Sequence, residues 1–292
     1  MLERRAKWRD KVRGTKMPLI AMNREMGSLG KDVAKGVAAA LGLKVEHHEM
    51  IDQLANRARV RKSHVVSFLE GSQGLIERLT TDQVKMRILT ADEIVSLAEN
   101  NAGVVLRGWG ATSLFKEVPH AVRVCVSSSR RIRIQRMMER LKLDDEPQAS
   151  RIVDQNDQAA QAVMRRHFHI EVRDINEYDV GFNTDRVSVE QCVDKIVRLV
   201  NSPQFADTDE SRAKLRDLAV VHHVRAALRT HASTAHCLVR VTALNGRVKL
   251  EGVVENPDES RACTDLASRL KGVTDLVNLI RVGGVPARLR GE

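Results

Sequence analysis

"NREMGSLGKDVAKGVAAALG", Asn23 to Gly42, is the stretch on which the reading of this chain turns. A short apolar run, "PLIAMN", precedes it and reads as a strand. Val33, Val37, Ala40 and Leu41 then recur at helical spacing, and Gly42 is placed to cap the helix end. In a strand–loop–helix of this kind the first-turn amides lack partners and carry the positive end of the helix dipole, so an anion is stabilised there. Gly27, Gly30 and Lys31 stand in the order of a phosphate loop. Glu25 occupies the position of its first glycine, and Asp32 that of the Ser or Thr which usually holds magnesium. Asp32 also has a purely local reading, in which it complements the dipole and caps the helix with no nucleotide. Spacing alone leaves both readings open.

Outward from this loop, strands and helices alternate from Pro18 to about Val200. Helical sequence with polar interruptions fills roughly residues 50–100. "GVVLRG" (Gly103 to Gly108) and "AVRVCV" (Ala121 to Val126) read as buried strands, the second entering a basic helix from Ser129 to Leu141 with Ser129 as its expected cap. Another helix is expected around 149–166, then the strand "YDVGFNT" and the amphipathic helix "SVEQCVDKIVRLV". Short buried strands between helices imply a parallel sheet covered on both faces. "NSPQFADTDESRAK" reads as a linker. Beyond it come a helix, a hairpin turning at Asn245-Gly246, a second helix and a last strand, an αββαβ unit.

Composition is that of a globular protein: 42% hydrophobic and 29% charged residues, with aromatics at only 3%. The core must therefore be aliphatic. No stretch reaches the apolar length of a membrane span, and the basic arm "MLERRAKWRDKVRGTKMP" has no apolar centre, so the expected compartment is the cytoplasm. Cys125, Cys192, Cys237 and Cys263 form no CxxC pair and are expected reduced. A net charge of +10 points to an anionic partner without choosing one. Nucleic acid is disfavoured, because stacking aromatics are few and no binding motif appears.

The segment from Ile20 through Ala55 resembles the start of the cytidylate kinase-like family, whose loop reads I-S-R-E-[YF]-G-S-G-G-x-x-[IV]-A. Arg24, Glu25, Gly27, Ser28 and Gly30 match, which makes Glu25 a feature of a variant loop; Leu29 departs from a family glycine and matters if that position needs positive φ. "VVLRGWGATSLF", "VRVCVSSSRRIRIQRMMER" and "NEYDVGFNTDRVSVEQCVDKIV" resemble three further family segments. The resemblance implies a P-loop, three-layer parallel sheet flanked by helices, with ATP and Mg2+ as cofactors and transfer of the γ-phosphate to a monophosphate such as CMP. It further implies Gly27, Ser28, Gly30, Lys31 and Asp32 on the nucleotide, Lys31, Arg107 and Arg136 in catalysis, and Asp52, Arg107, Arg130, Arg133 and Arg140 on the substrate. Each has a plain alternative: Arg107 pairing a carboxylate, Asp52 capping a helix, the arginines forming a solvated face. The family lid, D-K-R-R-A, is replaced by "NDQAAQAVMRRHFH", which leaves Arg165 and Arg166 downstream. A weakly active or inactive P-loop domain acting as nucleotide sensor or scaffold is therefore the competing reading.

"NGRVKLEGVVENPDESRACTDLASRLKGVTDLVNLIRV" resembles a BON domain through Gly246, Val248, Leu250, Gly252, Gly272, Val273, Val277 and Asn278. That implies a small α+β module that binds lipid, small molecule or protein. The expected organisation is an arm at 1–16, the kinase-like domain at 17–200, a linker at 201–213, the BON domain at 214–284 and a tail at 285–292. The pairs His47-His48, His167-x-His169 and His222-His223 have no second ligand set at metal spacing, so no metal site is expected from them.

Overall fold

A computed structural model of the 292-residue chain describes residues 17–46, 49–70, 82–108, 110–168 and 171–283. The expected arm and tail, His47, His48 and His169 lie outside these residues. In chain order, β1 (Leu19–Arg24) leads to α1 (Gly30–Leu41), β2 (Lys44–Glu46), α2 (Glu49–Ala58), α3 (Lys62–Glu70) and α4 (Gln83–Asn100). There follow β3 (Val104–Arg107), β4 (Ala121–Ser127), α5 (Arg130–Leu141), α6 (Glu146–Val163), β5 (Val180–Asn183) and α7 (Val189–Val200). The C-terminal elements are α8 (Asp209–Thr230), β6 (Leu238–Leu244), β7 (Arg247–Val254), α9 (Pro257–Ser268) and β8 (Asp275–Val282). Within the stretch read as a linker, Pro203–Phe205 forms a 3-10 turn and α8 already begins at Asp209.

The described residues divide into two compact units, those within 1–49 and 100–208 and those within 50–99 and 209–292. In the first, a five-stranded sheet runs β2-β3-β1-β4-β5, parallel throughout. Its strands are apolar because a covered parallel sheet leaves no wet face: Leu19, Ile20, Ala21 and Met22 are all buried, as are Val104, Val105 and Leu106. Val33, Val37 and Ala38 of α1 join Cys192, Ile196 and Val200 of α7 in one core cluster with β1 and β4. The two helices approach closely, since a Cβ on Gly36 would lie 2.6 Å from Val193 Cγ2. Gly42 caps α1 as expected, at φ 68° with its N–H donating to Ala38. β1 has β3 on one side and β4 on the other, so the strand order reverses there, and in open α/β sheets such a point places the ligand crevice at the carboxyl ends.

The second unit contains a three-stranded sheet, β6-β7-β8, with β6 and β7 antiparallel and β7 and β8 parallel. The hairpin turns where the sequence places it: Asn245 and Gly246 take φ of 50° and 78°. A Cβ on Gly246 would lie 2.8 Å from Gly272 O. Asp217, on α8 and 8% exposed, accepts the N–H groups of Asn245 and Gly246 at 2.8 and 2.9 Å. Gly252 lies inside β7, where a Cβ would meet Leu238 O at 2.6 Å. The inner sheet face packs Val241, Val248 and Leu250 on Val220, Val224 and Leu228 of α8. The outer face exposes Leu238, Leu244, Val253 and Leu279.

α8 also meets the α4 segment of the same unit through charge. His223 bonds Asp92 at 2.6 Å and Glu99 at 3.2 Å, while Arg57 of α2 pairs with Asp92 and, at 3.0 Å, with Glu93. Burial alone would raise Asp92, but hydrogen bonds from His223 and Arg57 hold it below its ordinary value. Glu93, with Arg57 but also the Asp92 charge beside it, stays raised by burial. Asp92 raises His223 through their hydrogen bond. Burial and then Arg225 push His222 down to about 4.

Two outcomes are expected. Asp217→Ala strands two turn amides and should cost about 3 kcal/mol in urea unfolding of the full chain, with Asp217→Asn recovering part of it. His223, whose folded value is raised, contributes fully below its unfolded value of about 6.5 and loses that contribution as pH rises through the raised value. Buried His222 acts in the opposite sense, its contribution falling as pH drops below about 6.5 toward its depressed value. The stability gap between the wild type and His223→Gln should therefore narrow from mildly acid to alkaline pH; a gap independent of pH would refute the pairing with Asp92 and Glu99.

Candidate phosphate-binding site

The loop after β1 is shaped by two left-handed residues. Gly27 takes φ 78°, and a Cβ there would lie 2.8 Å from Arg133 O. Leu29 takes φ 60° and ψ 11° as the residue preceding α1, so this position does require positive φ and a leucine holds it. Leu29, which precedes the helix, makes no side-chain cap bond, and Asp32 is exposed two residues inside it, away from the cap position. The capping role expected of Asp32 is thus absent, and what remains is its favourable charge at the dipole's positive end. Gly30 permits the tight entry into α1, since a Cβ would fall 2.6 Å from Arg24 Cβ. Lys31 is exposed beside it.

Below the loop lies a buried arginine. Arg133 is 3% exposed, forks onto Asp157 of α6 at 2.9 and 2.7 Å, and has Glu25 3.5 Å from its Nε. Glu25, which stands where a glycine was expected, is therefore one of two counter-ions of a buried guanidinium, directed toward α5. One turn earlier, Arg130 pairs with Asp154, at 2.9 Å through Nε. One turn later, Arg136 donates to Gly27 O at 3.2 Å, Thr184 Oγ1 at 3.0 Å and Thr184 O at 2.7 Å. Thr184 in turn reaches Ser28 O at 2.9 Å. The Ser28 hydroxyl is buried and donates back to Glu25 O at 2.8 Å. Ser129, the expected cap of α5, makes no side-chain cap bond; Asp185 accepts its N–H at 2.8 Å instead.

The open end of the site is cationic. Arg107, at the end of β3, is 8% exposed, and its Nε is buried without a hydrogen-bond partner. Burial, then the charges of Arg24 and Arg140, lower its pKa. A buried guanidinium with an orphaned donor, pressed by two like charges, is stabilised by an anion. Of the residues read from the sequence, Gly27, Ser28, Gly30, Lys31, Asp32, Arg133 and Arg136 gather at this loop, and Arg107 and Arg140 share a field. Asp52 lies in the other unit, 2.7 Å from Lys62. Arg165, downstream of the missing lid motif, pairs with Glu171 at 2.8 Å. Arg24 enters the sequence reading only as a match to the family loop, and Asp157 does not enter it. The i, i+3 pair Arg130 and Arg133 facing an i, i+3 pair Asp154 and Asp157 was the available signal for Asp157.

The sequence profile of the cytidylate kinase-like family matches residues 19–186, more than half of the chain. The chain belongs to the cytidylate kinase-like family. In this family member a BON domain profile also matches, over residues 217–284. Among solved structures, an uncharacterized protein from Eubacterium ventriosum is similar at 20% identity, covering 64% of this chain and 99% of its own, with a TM-score of 0.50. Shikimate kinase from Bacteroides thetaiotaomicron is similar at 16% identity, covering 64% of this chain and 99% of its own, with a TM-score of 0.40. At 20% identity the likeness to the Eubacterium ventriosum protein is one of fold alone. No curated protein matches the chain. The family match and the five-stranded parallel sheet give the chain a kinase-like P-loop fold, with Glu25 as a structural part of its loop.

Because β-branched residues are poorly accommodated at left-handed φ, Leu29→Val should lose about 1–2 kcal/mol in urea unfolding. Leu29→Gly should stay within about 1 kcal/mol of the wild type, strain relief offsetting lost side-chain contact and added chain entropy. Equal stability of the two variants would mean that the loop does not hold this backbone.

Proposed function

We propose that the chain binds ATP with Mg2+ at the β1–α1 loop and transfers the γ-phosphate to a nucleoside monophosphate, with CMP the first acceptor to test. The observation that carries this reading is Arg107, a buried guanidinium with an unpartnered Nε beside Arg24 and Arg140 at the carboxyl edge of the sheet. The donor phosphates would rest on the first amides of α1, with Gly27, Ser28 and Gly30 forming the loop and Lys31 supplying a mobile charge. Asp32 offers an exposed hard oxygen suited to Mg2+. A metal held there would supply positive charge to offset that of the phosphates. Arg107, with Arg24 and Arg140, would hold the acceptor phosphate, one of whose oxygens attacks the γ-phosphorus as the bond to the departing ADP breaks.

Arg130, Arg133 and Arg136 are better read as builders of the site, because each is engaged by Asp154, Asp157 or Thr184. That engagement favours a second reading, nucleotide sensing without turnover, since few arginines remain to neutralise a transition state. The C-terminal module is proposed as the interaction arm: its outer face sets Leu238, Leu244, Val253 and Leu279 among Arg240, Arg247 and Arg281.

The test is the full chain with ATP, Mg2+ and each nucleoside monophosphate, followed for ADP release. Lys31→Ala should lower turnover by about 100-fold or more, the scale for losing a charge-stabilising donor. Arg107→Ala should raise the KM of the monophosphate more than that of ATP. ATP binding without turnover supports the sensor; neither binding nor turnover sinks both.

A further inference from the structure

The C-terminal unit brings together side chains that the sequence holds apart. His236 and Cys237 lie just before β6, and Glu259 sits in the first turn of α9. His236 Nε2 is 3.1 Å from Glu259 Oε1, Cys237 Sγ is 4.0 Å from Glu259 Oε2, and all three ligand atoms lie within 4.8 Å of one another. We propose that His236, Cys237 and Glu259 form a binding site for a divalent transition cation of the zinc class.

The dimensions fit. With bonds of about 2.0–2.3 Å in a tetrahedral shell, adjacent ligand atoms stand about 3.3–3.8 Å apart, so the observed separations need only small side-chain adjustments. The donors fit as well: an imidazole, a thiol and one carboxylate are a zinc set, whereas Mg2+ and Ca2+ take oxygen. Three protein ligands leave one position for water. His236 is 55% exposed at its side chain and gives the cation access, while Glu259 is 12% exposed and fixed from behind. The backbone N–H of Glu255 and the Asn256 amide each donate to its carboxylate at 2.9 Å, the kind of outer-shell support that orients a metal ligand. Cys237 is anchored through its own N–H, which donates to Thr234 O at 2.9 Å. Coordination would replace the thiol proton of Cys237, so binding releases one proton to solvent. Cys263 follows Glu259 by one helical turn, is fully buried, and its thiol interacts with that of Cys237. It lies behind the site as a neighbour of one ligand. The bound cation would tie the segment entering β6 to the start of α9, reinforcing the His236–Glu259 and Cys237–Glu259 contacts.

Cobalt(II) is the probe, added to the purified, reduced full chain and followed by absorption. The expected spectrum has thiolate-to-metal charge transfer and intense four-coordinate d–d bands, saturating at one cobalt per chain. Cys237→Ser should abolish the charge-transfer band. His236→Ala, at an exposed position, should leave the fold intact by circular dichroism and weaken binding at least as much as the about 10–100-fold loss typical of outer-shell changes. Cys263→Ser should keep the band. Zinc should compete the cobalt away and raise the unfolding midpoint of the wild type, not of His236→Ala. The site is refuted by absence of cobalt binding, by a charge-transfer band that survives Cys237→Ser, or by one lost only in Cys263→Ser.

Discussion

A guanidinium with almost no access to water, Arg133, organises the N-terminal half of the site. A buried charge must be compensated where it stands, and here the compensation comes from two directions: Asp157 across the α5–α6 pair and Glu25 from the loop. The loop therefore cannot take the all-glycine form of a conventional phosphate cradle without stranding that charge. Removing either acid would leave a buried cation partly unpaired, a defect of about 3–5 kcal/mol in comparable cases. Gly27 follows from the same constraint, because Arg133's own carbonyl occupies the space where a side chain would go.

Given that base, the rest of α5 has divided labour. Arg130 fastens α6, and Arg136 reaches over Thr184 to Gly27, so loop and β5 end are tied to one helix. Ile134 and Met137 add a small apolar core with Ala149 and Val153, against which Met26 of the loop packs. A row that looks from the sequence like one cationic face is thus used for structure along most of its length. The unpartnered donor at the open end comes from elsewhere, from the buried Arg107 at the end of β3, with the charges of Arg24 and Arg140 beside it.

The C-terminal unit solves a different problem. α8 is covered on two sides, its apolar stripe by the small sheet and its His223 by Asp92 and Glu99 of α4. Asp217 then aims its carboxylate at the hairpin turn. The segment from α2 to α4, which interrupts the strands of the parallel sheet in sequence, accordingly belongs to the same compact unit as the BON module.

Local chemistry wrote much of this directly. Apolar runs marked β1, β3 and β4, Gly42 marked a helix end, and Asn245-Gly246 marked a hairpin, because each depends on backbone preferences of adjacent residues. The three-residue β2 gave too little pattern to be placed from its own residues. Pairing between distant residues was not written there. Glu25 and Arg133 are separated by more than a hundred positions, and which of several arginines would be buried, paired or left with an orphaned nitrogen depended on the helices that came to lie against them. The same holds for His236, Cys237 and Glu259, which no linear spacing joins. Sequence determined most strands of the parallel sheet, the loop and the C-terminal αββαβ order, since those rest on periodicity and turn chemistry. Tertiary structure alone decided the charge pairing, since a side chain's partners and solvation are set only when separate elements meet.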